Sequence, residues 1–348
     1  MSTEQPQPQP STLPPPSPRN PHERQTGTRT HAGWGCQDAR HPGPACAAGD
    51  DHFGDLLRAD LATSGTRLTH ALPASDPNTL AAVQLREDGA AAYSFHANGT
   101  ADRGLRPEPP RCSPGRRRAA RGHRSAPRVA GSAARPLAST LDGLIRREAG
   151  RRLVSPDPNV RPGLVTDRAA CLRRFAEWVA LADVVKASDE DLAWLHPGES
   201  YEAVAERRLA SGAGLVPITF GSRGAWAAGR DVNVQVPAPV VEVVDTVGAG
   251  DAFTAGVLAH LHHAGRLSRE GVAALGAGDL ARLLSYAVEI ATDTRTRAGT
   301  QPPYRHDGEP IPVQRHRPCL DACRSLMSPA RPAQVAACGP FRSGAFSG

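Results

Sequence analysis

Lysine is almost missing from this chain of 348 residues: Lys186 is the only one, and arginine supplies the rest of the basic charge behind a net +6. Such a surplus invites a nucleic-acid partner. The arginines, however, crowd into stretches without hydrophobic period, such as residues 111–128, and no Phe, Trp or Tyr interleaves them as a base-stacking platform. No specific nucleic-acid partner is implied. No apolar run reaches the ~18 residues a membrane-spanning helix needs. The opening Met-Ser-Thr-Glu-Gln-Pro lacks the apolar core of a secretory leader. Cys36, Cys46, Cys112, Cys171, Cys319, Cys323 and Cys338 include no Cys-x-x-Cys pair, and an odd count does not suit a complete disulfide framework. Cys319 and Cys323 have no evident companions for a metal site. These absences predict a cytoplasmic, reduced protein without a membrane partner. There is also no Gly-Lys-Ser/Thr, so a Walker-type phosphate loop is excluded.

What is present is concentrated at Asp245-Thr246-Val247-Gly248-Ala249-Gly250-Asp251-Ala252-Phe253. Two valine-rich runs, residues 232–236 and 240–244, precede it, and an apolar, helix-compatible run, residues 252–262, follows. The pattern reads strand, glycine-rich turn, helix. Gly248 and Gly250 allow φ > 0 and close approach of a ligand. The first N–H groups of the following helix lack intrahelical partners, and its dipole makes that end positive. Together these form a site for an anion such as phosphate. A carboxylate inside such a site, Asp251, is unfavourable unless it accepts a proton from an attacking hydroxyl.

This string resembles the C-terminal signature of the PfkB, or ribokinase-like, carbohydrate kinases. A tight turn would account for the glycines but not for Asp245, Thr246 and Asp251. The resemblance implies an α/β, ribokinase-like three-layer sandwich, with a mostly parallel central sheet and a small β lid, incomplete at the N-terminus. It implies ATP-dependent phosphorylation of a sugar's primary hydroxyl, fructose or a related ketose being nearest. Asp251 would be the base, and the N–H groups of Gly248, Ala249 and Gly250 the anion hole, with Asp245 and Thr246 supporting the motif. ATP and Mg²⁺ are the implied cofactors, with room for a monovalent cation and for a homodimer.

Further segments bear on it in chain order. Residues 1–48 are rich in Pro, Gln, Ser and Arg and are expected to be a disordered tail. A kinase domain then spans 49–304. Gly49-x-Asp51-x-x-Gly54 resembles the family segment that opens a helix, on which Phe53, Leu56, Leu57 and Leu61 recur at helical spacing. Residues 79–85 and 91–96 read as strands joined by an Asp-Gly turn, a hairpin for the lid. Tyr93 and Phe95 are read as packing residues on that sheet. Residues 106–136 lose all period where the family has a core strand, and are expected to be a replaced or out-of-frame, mostly disordered stretch. Leu141, Leu144 and Ile145 mark a helix face, and 152–155 a short strand. Asp157-x-Asn159-x-Arg161 resembles the family's Asp-x-Asn-x-Arg at a strand end, although a turn alone would use the same residues.

Leu172, Phe175, Ala176 and Val179 predict another helix, and 182–185 a strand. Ser188 with Asp191 is close to a capping box. The same Lys186-Ala187-Ser188-Asp189-Glu190-Asp191 resembles a fructokinase-type segment. The resemblance places Lys186 with the nucleotide, and has Asp157, Asn159, Arg161, Glu190 and Asp191 organise phosphates and Mg²⁺ without direct protein ligands to the metal. Thr219-x-Gly221-x-x-Gly224, with Ser222, resembles the family's nucleotide loop. Pro217 removes a ladder N–H from the strand before it. A helix over 279–290 presents Leu280, Leu283, Leu284 and Val288, and 305–348 returns to a Pro/Arg/Gly/Ser-rich tail. The family's Gly-Gly-x-x-x-Asn sugar motif has no counterpart in residues 1–48. That leaves a second reading open: an inactive relic that at most binds nucleotide.

Overall fold

The computed structural model describes residues 26–27, 46–63, 68, 71–85, 91–106, 124–125 and 137–297. Its strands are β1 Thr26–Gly27, β2 Cys46–Gly49, β3 Ala71–Ala74, β4 Leu80–Leu85, β5 Ala91–His96, β6 Arg124–Ser125, β7 Val154–Ser155, β8 Ala187–Ser188, β9 Val216–Thr219, β10 Ala225–Ala228 and β11 Asn233–Val236. Its helices are α1 His52–Thr63, α2 Leu137–Glu148, α3 Arg168–Val179, α4 Asp189–Leu195, α5 Tyr201–Ala210, α6 Ala249–His263, α7 Arg269–Ala273 and α8 Ala277–Arg295.

The layers follow from strand alternation, which sends successive side chains to opposite faces. Val154, Val185, Val216, Ile218 and Trp226 enter one core with Leu141 and Ile145 of α2, Phe175 and Trp178 of α3, Leu192 of α4 and Val204 of α5. Their neighbours Leu153, Val184, Leu215, Ala225 and Ala227 enter a second core with Phe253, Val257 and Leu261 of α6, Val272 of α7 and Leu280, Leu283 and Leu284 of α8. A sheet that feeds two cores lies between two helical layers, the expected three-layer sandwich. Pairing is parallel for β2–β3, β6–β7 and β8–β9, and antiparallel for β9–β10 and β10–β11. A separate antiparallel sheet, β1-β4-β5, contains the expected hairpin, with Leu80 opposite His96.

Pro217 stands in the interior strand β9, and its cost is visible. Phe220 N–H bonds the Gly224 carbonyl, so alternation along the ladder makes the Pro217–Ala227 pair a non-hydrogen-bonded one. The missing N–H therefore faces residues 185–187. There the parallel ladder is broken into a single Val184–Leu215 bridge and the two-residue β8. The predicted strand over 182–185 is reduced accordingly.

Other expectations need correction. Order begins before residue 49: β2 starts at Cys46, with Ala47 and Ala48 buried, and Thr26–Gly27 pairs with β4. Within 106–136, Arg124–Ser125 runs parallel to β7, so a strand does stand beside it. The remainder of 107–136, residues 1–25 and 28–45, and all of 305–348 lie outside the described residues. Residues 240–244 form no strand. Val240, Val243 and Val244 are 102%, 45% and 58% exposed, because β11 already closes the edge beside β10 and the chain leaves the sheet at Pro237. In α1 the inward face is Phe53, Leu57 and Leu61, with Leu56 53% exposed. The α3 face is turned to Cys171, Phe175, Trp178 and Val179, leaving Ala176 exposed and Leu172 half-buried. Trp178 decides this, since it is the largest side chain there and is 2% exposed. The short helix α7 gave no periodic signal.

Candidate active site

Three strand ends define one edge of the central sheet. β7 leads into Asp157, β8 ends at Ser188, and β9 ends at Thr219, paired with Ser188 in parallel register. The N–H groups of Asp183 and Val184 bond the Val154 carbonyl, which places the 183–188 segment beside β7. Ligands of open α/β sheets sit at this carboxyl edge. The sequence segments at 157–161, 186–191 and 219–224 are thus brought together by strand order.

Within them the predicted residues fall into two groups. Asp157, Lys186 and Asp191 are buried, at 2%, 3% and 5% exposure. Lys186 Nζ lies 3.1 Å from Asp157 Oδ2. Asp191 closes a capping box: its Oδ2 accepts from the Ser188 N–H and hydroxyl, while Ser188 Oγ accepts from the Asp191 N–H. Asp191 Oδ1 also accepts from Val160 N–H at 2.7 Å. Arg161, Glu190 and Ser222 are exposed, and Asn159 and Thr219 half-buried. Arg223, which no motif singled out, pairs with Asp189 at 2.7 Å and lies over the Phe220 ring. Its signal was only its place inside the glycine loop.

The glycines of the loop have different reasons. Gly221 has φ +60°. Gly224 has φ +95°, and a Cβ there would lie 2.1 Å from the Val236 carbonyl oxygen, so the return of β11 requires glycine. In Gly49-x-Asp51-x-x-Gly54, a Cβ on Gly54 would lie 1.8 Å from the Gly49 carbonyl oxygen. Asp51 caps α1 by accepting from Gly54 N–H at 2.8 Å, and this bond holds its carboxyl below the usual range. Asn78, missed in the sequence and buried, donates to Asp51 Oδ1 and accepts from Gly49 N–H. Phe95 is half-buried; the Tyr93 side chain lies outside the described residues.

The loop at 245–251 is held by backbone hydrogen bonds and a left-handed glycine. Arg295, the last residue of α8, accepts through its carbonyl from the N–H groups of Val244 and Asp245, which anchors the entry. Asp245 Oδ1 accepts from Val247 N–H at 2.9 Å, and Thr246 O from Ala249 N–H at 3.4 Å. Gly248 then takes φ +86° and starts the fifteen-residue α6 with no side-chain cap. Asp251 lies in the first turn and is half-buried. An uncapped N-terminus with its dipole behind it suits a bound phosphate. Its direction is set by packing on α8, where Gly256 admits Ala287: a Cβ would come 2.8 Å from Ala287 Cα. Among the described residues no cluster of three His, Cys, Asp or Glu could hold a metal ion, and no helix is long and apolar enough to cross a membrane.

Comparison with known proteins places the chain as a whole. The family model for pfkB family carbohydrate kinase matches residues 44–307. The chain belongs to the pfkB family of carbohydrate kinases. Sugar kinase is the enzyme class that membership carries. A fructokinase of Rhizobium leguminosarum bv. trifolii is 38% identical over 227 residues, 65% of this chain and 68% of that protein. A fructokinase of Klebsiella pneumoniae is 34% identical over 268 residues, 74% of this chain and 82% of that protein. Among solved structures, fructokinase with bound ATP from Xylella fastidiosa aligns over 74% of this chain and 79% of its own, at 25% identity and a TM-score of 0.61.

Proposed function

We propose that this pfkB kinase transfers the γ-phosphoryl group of ATP to a primary hydroxyl of fructose or a related ketose. The observation that carries the proposal is the uncapped head of α6, entered through left-handed Gly248, with Asp251 in its first turn. The sugar oxygen attacks the γ-phosphorus, its proton passes to the Asp251 carboxylate, and ADP leaves. The N–H groups of Gly248 and Gly250, with that of Ala249 turning from its long 3.4 Å bond to the Thr246 carbonyl, stabilise charge on the transferring oxygens. Thr219, Gly221 and Ser222 border the nucleotide. Mg²⁺ would supply positive charge that offsets the phosphates. The exposed Glu190 and the half-buried Asn159 would suit a water-mediated approach to it, and the exposed Arg161 would offer its charge to the phosphates. The two fructokinases of 34–38% identity support a ketose as acceptor.

The relic reading keeps one observation in its favour: the sequence contains no Gly-Gly pair, so the family's sugar motif is missing. Purified protein incubated with ATP, Mg²⁺ and fructose, ribose or glucose, followed by phosphorus NMR, separates the two. The proposal expects a sugar monophosphate with fructose foremost. ATP binding by calorimetry without any sugar phosphate would establish the relic instead.

A further inference from the structure

Lys186, the only lysine of the chain, is 3% exposed, and Asp157, 3.1 Å from its ammonium, is 2% exposed. A buried ammonium persists when a counter-charge accompanies it, whereas a phosphate-seeking lysine keeps its strongly hydrated head in water. Asp157 also reaches along its own loop, its Oδ1 accepting from Asn159 N–H at 3.3 Å. Asn159 has φ +37° and is the only non-glycine residue with positive φ among those described. Side chains other than glycine hold such a conformation only where the surroundings over-determine it. On the other flank, Val160 N–H donates to Asp191 Oδ1 at 2.7 Å, and Asp191 is itself tied to Ser188 at the head of α4. Two buried carboxylates thus grip the turn on either side of Asn159, and Lys186 sits against one of them.

We propose that Lys186, Asp157 and Asp191 are positioning residues rather than ligand contacts. They lock the left-handed turn that sets Asn159 and Arg161 at the carboxyl edge of the sheet. Lys186 acts through Asp157, and Asp191 through the Val160 backbone. The kinetic consequence rests on the sugar-kinase reading; the burial and the turn do not.

The single lysine makes this directly measurable. Trinitrobenzenesulfonate labelling, followed by mass spectrometry of the peptide containing residue 186, reads that side chain alone. Labelling of the native protein should be at least about 100-fold slower than in denaturant, since it needs local opening, and equal with and without Mg-ATP. Fast native labelling would overturn the proposal, and protection by ATP would make Lys186 a nucleotide contact. In the second arm, Lys186→Met with Asp157→Asn removes both charges together, so neither is left buried alone. The turn then loses its grip, and kcat should fall by about 10- to 100-fold, the scale of a small misplacement, with KM for ATP kept within about twofold. A tenfold rise in KM for ATP at unchanged kcat would also make Lys186 a nucleotide contact, and unchanged values of both would reduce the pair to packing. If the double variant does not fold, or if the wild type shows no turnover and the kinase reading itself fails, the labelling result still decides.

Discussion

Replacing Asp251 with Asn separates a proton acceptor from a charge that merely favours a helix. Asp251 occupies the first turn of α6, three residues beyond Gly248. An acidic residue there stabilises the helix by about 0.3–1 kcal/mol, a factor of roughly 2–5 in the folding equilibrium. Loss of a general base costs about 10²–10⁴ in rate, or roughly 2.7–5.5 kcal/mol of barrier. The catalytic effect therefore exceeds the structural one several-fold. Asn keeps the shape of Asp and can still accept a hydrogen bond, but it takes no proton. In a coupled ADP-release assay with fructose, Asp251→Asn should lose at least about 100-fold in kcat. Its melting temperature should drop by no more than about 4 °C, the equivalent of roughly 1 kcal/mol in a domain of this size. Affinity for ATP should hold or tighten slightly, because a negative charge beside the phosphates has gone. Turnover equal to that of the wild type would remove Asp251 as the base. A large drop in melting temperature with proportional loss of ATP binding would make it a structural residue.

Gly224→Ala should lower stability by about 2–5 kcal/mol in urea unfolding, combining a left-handed backbone with a Cβ 2.1 Å from the Val236 carbonyl oxygen; an unchanged midpoint would contradict the β10–β11 register. Gly256→Leu should separate α6 from α8, at a cost of about 1–3 kcal/mol or more, since even a Cβ lies 2.8 Å from Ala287 Cα. Val240→Ser should change stability by less than about 0.5 kcal/mol, because that side chain is fully exposed; a loss above about 1 kcal/mol would restore the predicted strand. His196 is held below its ordinary pKa of 6.5 by burial and then by Arg208, and His260 by burial and then by Arg282. The unfolded chain therefore binds more protons just below pH 6.5, so stability falls as pH drops through that window and is fully present above it. Melting curves between pH 7.5 and about 5.5 should show this, and His196→Gln should flatten the dependence.

The helices α2, α6 and α8, the β4–β5 hairpin and the glycine-rich entry to α6 were legible in the sequence. Each rests on residues within a few positions of one another: a repeat of three or four, a turn dipeptide, a cap. The sites at 157–161, 186–191 and 219–224 were legible as strings, but not what their residues do. Asp157 and Lys186 stand 29 positions apart and meet only because their strands run side by side, and Asp191 reaches back 31 positions to Val160. Asn78 is joined to Asp51 over 27 positions. The valines at 240, 243 and 244 illustrate the opposite failure. Their composition favours a strand, yet a strand exists only where a neighbour offers hydrogen bonds, and beyond β11 none of the described residues does. Local order was decided by near neighbours along the chain. Which charges are buried, which glycines are irreplaceable and which apolar run stays in water were decided by residues that only the folded sheet brings together.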